Sequence, residues 1–201
     1  MRVKKDSQQK FNYYQEKQKF YLETYWKNND EGNLYRPNGF ENLPENIYQA
    51  FCEQIDKNGK ILDLGCGNGL MLRYLMEATG YKLIPYGIDF IKPPIKQAKE
   101  VLHPQYAAHF VVGNVIDYSF KSGPFDFIFA TIHHIHPADR GKYLQKIKKH
   151  CKKKGKIIFY EYSDVLKQNQ YNWVGEFPEL KDWRLVRKDF PGVSIAVWKK
   201  T

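Results

Sequence analysis

Three glycines at alternate positions, Gly65, Gly67 and Gly69, close the apolar run ILDLGCGNG, and helical spacing resumes at once in LMLRYL. A strand that merely runs into a helix needs less backbone freedom than that. Glycine permits a sharp bend and leaves no side chain between the main chain and an incoming group. A helix starting near Asn68 aims free N–H groups and a positive dipole end at an anionic or carboxylate group. Asp63 stands just before the bend. Asp89 ends the segment YGIDF, 24 positions beyond Gly65, where nucleotide-binding α/β folds hold an acid that accepts both ribose hydroxyls. Phe90 beside it is suited to cover an adenine face. Together the two motifs describe a site for an adenosine that bears a further group.

A second constellation follows the apolar run FDFIFA. The segment TIHHIHPAD sets His133, His134 and His136 just past the end of a strand. Imidazole titrates near neutrality, so any of the three is a candidate general base for a hydroxyl or ammonium acceptor. Position alone puts His134 first. The opposing reading is that the His-His pair fills a loop and that His136 packs against or caps the helix opened by Pro137. With no obvious additional carboxylate or thiolate beside them, they make a poor metal set, and no metal is expected.

These residues are positioned by an alternation of strands and helices. Residues 10–30 carry Phe11, Tyr14, Phe20, Tyr21 and Tyr25 among charges and read as an amphipathic helix. Glycines and prolines break the pattern until a helix near Glu45. Strands are predicted at Lys60–Leu64, Lys82–Asp89, Ala107–Asn114, Pro124–Ile132 and Gly155–Ser163. Helices are predicted over 70–80, from about Pro93, and from Pro137 through the run KIKKHCKK to Gly155. Trp183–Phe190, a Pro-Gly turn and VSIAVWKK read as a terminal hairpin. Near-continuous apolar strands between helices signal a mostly parallel sheet covered on both faces.

Size and composition set the outer bounds. The 201 residues suit one domain with a short appendage. No apolar run reaches the roughly 18–20 residues of a membrane span, and the basic, polar start lacks the apolar stretch of a secretory signal. Cys52, Cys66 and Cys151 are odd in number and far apart, which fits reduced thiols and a cytoplasmic address rather than a disulfide framework. The formal net charge of +10 favours polyanions and leaves RNA as a possible partner, although a lysine-rich composition explains a charge spread along the chain. The densest basic run, Lys146–Lys156, precedes a strand and so lies at the amino end of the sheet, away from the glycine bend.

The glycine spacing departs from the G-x-G-x-x-G of nicotinamide and flavin sites, because the third glycine comes one residue early. ILDLGCGNG with YGIDF instead resembles the class I S-adenosylmethionine-dependent methyltransferases, whose hallmark is E/D-x-G-x-G-x-G. Asp63, Gly65, Gly67 and Gly69 fill all four places. VVGNVIDYSF resembles the segment after the third strand of that family, with Asn114 in place of the usual acid. The stretch from PFDFIFATIHH to IIFYE resembles the fourth strand, its helix and the fifth strand. The resemblance covers roughly residues 45–165 and leaves the first 45 unmatched.

The resemblance implies a doubly wound, Rossmann-like α/β fold with a mostly parallel seven-stranded sheet, helices on both faces and an antiparallel C-terminal hairpin. It implies S-adenosyl-L-methionine as cofactor. Asp63 would organise the glycine turn, and Gly65, Cys66, Gly67, Asn68 and Gly69 would line the methionine part. Asp89 would hold the ribose, Phe90, Asn114 and Val115 the adenine, and Thr131 would open toward the methyl group. Residues 1–45 are expected to form an N-terminal helical cap and 46–201 the methyltransferase domain. In the cap, Tyr14, Tyr25 and Tyr35 are candidates to shield the sulfonium by cation–π contact, and Arg36 to reach the methionine carboxylate. No N-P-P-[YF] follows the fourth strand, which disfavours the amide- and exocyclic-amine-methylating branches. A small-molecule acceptor is the first expectation and tRNA or rRNA the second. The competing reading is a non-catalytic cofactor-binding or scaffold subunit with the same fold.

Overall fold

The computed structural model describes residues 2–23, 45–162, 177–188 and 193–201. Its helices are α1 (Arg2–Tyr21), α2 (Glu45–Cys52), α3 (Leu70–Ala78), α4 (Lys92–Val101) and α5 (Pro137–His150). Its strands are β1 (Gly59–Leu64), β2 (Leu83–Asp89), β3 (Phe110–Val112), β4 (Phe125–Ala130), β5 (Cys151–Tyr162), β6 (Arg184–Lys188) and β7 (Val193–Lys199). They form one seven-stranded sheet in the order β3-β2-β1-β4-β5-β7-β6. All pairs from β3 to β5 are parallel, and β7 runs antiparallel to both β5 and β6.

Alternation along each strand divides the core between the two faces of the sheet. Ile61, Phe127, Phe129 and Ile158 pack with side chains of α2, α3 and α4. Their neighbours Leu62, Ile128, Ile157 and Phe159 pack with Tyr143, Leu144 and Ile147 of α5. Both faces are thus apolar, which is why β4 reads FDFIFA without polar interruption save Asp126. That residue is buried and is neutralised by Lys57 at 3.4 Å and Lys152 at 3.2 Å. The chain winds outward from β1 to β3, then returns to place β4 on the other side of β1. A crevice therefore opens at the carboxyl ends of β1 and β4.

Three boundaries differ from the sequence reading. The first helix spans Arg2–Tyr21 rather than 10–30, and residues 24–30 lie outside the described residues. The third strand is only Phe110–Val112, because Pro104–His109 form a 3-10 turn with Pro104 at its start. Helix α5 stops at His150, and β5 begins at Cys151 instead of Gly155. The cause is a bulge: the pairing of β4 with β5 jumps from Phe125↔Cys151 to Phe127↔Lys156. Lys154 takes a left-handed conformation there, with φ 61°. Gly155 has no room for a side chain, since a Cβ would lie 2.8 Å from the Lys152 carbonyl oxygen.

Candidate active site

The bend after β1 is built by main-chain bonds to β2. The N–H groups of Gly65 and Cys66 both donate to the Ile88 carbonyl, at 2.8 and 3.1 Å. That turn needs φ 93° at Gly65, a left-handed value that only glycine adopts without strain. A Cβ built on Gly65 meets nothing within 4 Å beyond its chain neighbours, so among the described residues none fills the space above the bend. Gly69, at φ 75°, caps the start of α3. A Cβ there would lie 2.9 Å from Leu102 Cδ1, so Gly69 also lets α3 approach α4.

Asp89 ties the bend to the end of β2. Its Oδ2 accepts the Gly67 N–H at 3.0 Å and its Oδ1 accepts the Ile91 N–H at 2.9 Å. Burial nevertheless raises its pKa, partly offset by those main-chain donors. Each oxygen keeps a second lone pair that can accept a ribose hydroxyl.

Asp63 is the most telling group. It is 2% exposed and its Oδ1 has no hydrogen-bond partner among the described residues. Burial, together with the nearby Asp89 carboxylate, pushes its pKa up to about 8. A buried acceptor of this kind needs a donor, and a cationic one would also lower its pKa. The ammonium of an amino-acid moiety supplies both. The residues present therefore fit S-adenosylmethionine: an uncovered bend at Gly65, an orphaned carboxylate at Asp63 and a fixed carboxylate at Asp89.

The remaining predicted contacts are less uniform. The Cys66 thiol is buried against Gly87, so this residue can offer only its main chain to a ligand, and burial raises its pKa well above the usual thiol range. The Asn68 amide donates to Gln97 Oε1 at 2.9 Å and its Oδ1 accepts the Leu70 N–H, joining α3 to α4. Asn114 Oδ1 accepts the Ile116 N–H at 3.0 Å, which makes a local turn. Lys146 of α5 pins that same loop by donating to the Val115 and Ile116 carbonyls at 3.0 and 2.9 Å. Thr131 is half-buried at the end of β4.

The histidines separate into three roles. His136 caps α5: its Nδ1 accepts the Ala138 N–H at 3.3 Å and Pro137 follows as the first helical residue. A cap occupied in this way is not poised as a base. Burial and the neighbouring His133 drive the His134 pKa down to about 2, so its imidazole stays neutral and resists a proton. This weighs against the base role for which position puts His134 first. His133 is different. Its Nδ1 faces Oε2 of Glu161, a residue of β5 that is 1% exposed and whose Oε1 accepts the Ile132 N–H at 3.4 Å. A carboxylate against one ring nitrogen orients the imidazole and leaves the other nitrogen for a reacting group. Glu161 was legible only as a lone acid at the end of a buried strand.

Helix α1 lies across this edge. Tyr13 O–H donates to the His133 carbonyl at 3.4 Å, Gln18 Nε2 donates to the Phe90 carbonyl at 2.7 Å, and the Tyr21 hydroxyl lies 2.6 Å from His134 Nδ1. Tyr14 does not face the crevice; its hydroxyl donates to Asp139 of α5 at 3.0 Å, and Lys10 bridges to the same carboxylate. Phe11 and Phe20 point outward, 58% and 49% exposed, so α1 is attached chiefly by polar bonds. Tyr25, Tyr35 and Arg36 lie outside the described residues. Among the described residues no group of His, Cys, Asp or Glu is arranged to hold a metal.

Comparison with known proteins identifies the central domain. Residues 61–155 match the family described as a methyltransferase domain. Residues 61–155 are thus a methyltransferase domain, of the class I S-adenosylmethionine-dependent type. It is 30% identical over 109 residues to the chloroplastic tocopherol O-methyltransferase of Arabidopsis thaliana, covering 53% of this chain and 31% of that one. It is 27% identical over 128 residues to the phosphoethanolamine N-methyltransferase of Plasmodium falciparum, covering 63% and 46%. The chain thus spans less than half the length of either relative. The fold is shared with a TehB-like methyltransferase from Corynebacterium glutamicum, at TM-score 0.58 and 19% identity over 77% of this chain and 86% of that one.

Proposed function

We propose that this methyltransferase carries the methyl group of S-adenosylmethionine to a small amine or hydroxyl acceptor, with His133 as the proton acceptor. The observation that carries the reading is the Glu161–His133 pair at the carboxyl edge, beside the Asp63 and Asp89 carboxylates and beneath α1. When bound, the cofactor supplies an electrophilic methyl on a sulfonium. Asp63 takes the ammonium of its amino-acid end and Asp89 the ribose, which fixes the position of the cofactor against the bend. His133 would accept the proton that the acceptor's nitrogen or oxygen gives up on methylation. Glu161 holds the ring, and Tyr13, Gln18 and Tyr21 of α1 narrow access from solvent. That narrowing supports a compact acceptor over a polymer. Relatives named for phosphoethanolamine and tocopherol methylation are consistent with small acceptors.

The test is incubation with methyl-labelled cofactor and fractionated cell extract, before and after nuclease treatment. Label in a nuclease-resistant small-molecule fraction is expected. Label lost to nuclease would shift the acceptor to RNA, and cofactor binding without any labelled acceptor would favour the non-catalytic reading. Once an acceptor is in hand, His133→Ala is expected to lower turnover about 10²–10⁴-fold, the range of general-base catalysis. Affinity for S-adenosylhomocysteine should stay within a factor of two or so, because His133 does not belong to the cofactor's binding groups. Turnover unchanged by His133→Ala would remove it as the base.

A further inference from the structure

The parallel sheet collects the beginnings of β1, β2, β4 and β5, and the end of antiparallel β7, at the edge opposite the cofactor site. Lysines converge there from every one of these elements. Five of them are structural. Lys57 and Lys60 donate to the Lys154 and Ser122 carbonyls, Lys156 pairs with Asp56 at 2.8 Å, Lys200 caps the Lys148 and Cys151 carbonyls, and Lys148 lies 5.0 Å from the Trp198 ring centroid.

Six others are exposed and make no side-chain hydrogen bond or ion pair among the described residues: Lys82, Lys121, Lys149, Lys153, Lys154 and Lys199. Lys152 is exposed as well and only partly neutralised, by the buried Asp126. The acids near this part of the edge are few. Asp56 and Asp126 are already paired, Glu53 ends α2, and Glu179 and Asp182 sit at the β6 border.

The bulge at the start of β5 gives this charge a shape. It projects Lys152, Lys153 and Lys154 in succession, and Lys154 sits at φ 61°, where glycine would be relaxed. Bulges re-aim side chains, and this one places three cations together at the rim. Farther along the same edge, across β4 and β1 at the start of β2, Tyr81 and Ile84 are each 38% exposed, flanking Lys82 and Lys60. Lysines mixed with an exposed aromatic and an aliphatic side chain suit a lipid headgroup layer. A nucleic-acid groove would call for stacking platforms, and the tryptophan nearest the rim is already covered by Lys148.

We propose that this lysine edge is a docking surface for an anionic lipid bilayer. Docking there turns the cofactor edge toward the aqueous side, so the membrane contact is a mooring and not the route by which the acceptor arrives.

The test uses sedimentation of the full chain with phosphatidylcholine vesicles containing no or about one-third phosphatidylserine, at low and at high salt, with three proteins. These are the wild type, a bulge variant (Lys152→Gln, Lys153→Gln, Lys154→Gly) and a control (Lys92→Gln, Lys96→Gln, Lys99→Gln) that loses equal charge from exposed positions on α4. Binding of the wild type to phosphatidylserine vesicles, abolished by salt, is expected. The bulge variant should partition roughly 100-fold more weakly, and the control within about threefold of wild type. Unchanged S-adenosylhomocysteine affinity in the bulge variant certifies its fold, because none of its three positions touches that site. No vesicle binding by the wild type overturns the proposal, as does equal loss in both variants, which would mean net charge alone. Binding of an RNA probe in place of vesicles through the same lysines would likewise overturn it.

Discussion

Replacing Asp89 with alanine is expected to weaken S-adenosylmethionine binding by about 1.5–3 kcal/mol, the scale of hydrogen bonds to a charged group, or roughly 10–150-fold. The structure adds a second cost. The Asp89 carboxylate is the acceptor for the Gly67 and Ile91 N–H groups, so its loss strands two main-chain donors where the chain bends. Each stranded donor costs about 1–3 kcal/mol if water cannot reach it. The variant should therefore melt earlier as well as bind weakly. Removing Asp89 also takes away one cause of the raised Asp63 pKa, so Asp63 should ionise at lower pH in this variant. Asp89→Asn keeps an acceptor oxygen and is expected to recover much of the stability but little of the binding. Calorimetric titration together with urea unfolding separates the two effects. Normal affinity in Asp89→Ala would take this residue out of the site.

The second large effect is expected at Asp63, with opposite signs for stability and binding. Its pKa is about 8 in the folded chain against roughly 3.9 for an unperturbed aspartate. Between those values the folded state holds a proton that the unfolded state has lost. Stability therefore falls as pH rises through that window, and the full penalty stands above about pH 8. At ~1.36 kcal/mol per pKa unit the penalty is on the order of several kcal/mol. Asp63→Asn carries no titrating proton, so its stability should be flatter over the same range, and it should unfold later than wild type near pH 8. Binding goes the other way. A neutral amide cannot pair with the cofactor's ammonium, and affinity should drop by about 100-fold, the scale of an uncompensated charged hydrogen bond. In the wild type, affinity should climb by up to tenfold per pH unit approaching pH 8, as the carboxyl releases its proton to solvent and the carboxylate pairs with the bound cation. Urea unfolding of both proteins from pH 5 to 9 and titrations over the same range read these effects. A wild-type stability curve with no decline in that window would show that Asp63 is not held as described.

Much of this was legible in the sequence, for identifiable reasons. The run ILDLGCGNG carries backbone demands that few structures share, and the apolar strands with their intervening helices leave few ways to build a sheet. Asp63, Gly65 and Asp89 were legible because their roles are local to one bend. The bulge at Lys154 was not, since nothing in the helix-favouring run KIKKHCKKKGK marks where α5 gives way to β5. The pairing of His133 with Glu161 joins residues 28 apart in sequence and depends on the lateral register of β4 and β5. The Tyr14–Asp139 and Tyr21–His134 contacts are longer-range still. The desolvation that keeps the His134 imidazole neutral is likewise a tertiary property that position in a motif does not carry.

The central claim is that the empty space above Gly65 belongs to the amino-acid end of S-adenosylmethionine. A methyl group added there meets no other described residue within 4 Å beyond its chain neighbours, so it disturbs a ligand far more than the fold, whose cost is the roughly 1–2 kcal/mol of a non-glycine residue at positive φ. Titration of S-adenosylhomocysteine into the wild type and Gly65→Ala by calorimetry is the direct measurement. The account predicts one-to-one binding by the wild type and a loss of about 100-fold or more in a Gly65→Ala protein that still unfolds cooperatively. Equal affinity in the two proteins, or a wild type that binds no S-adenosylhomocysteine at all, would contradict it.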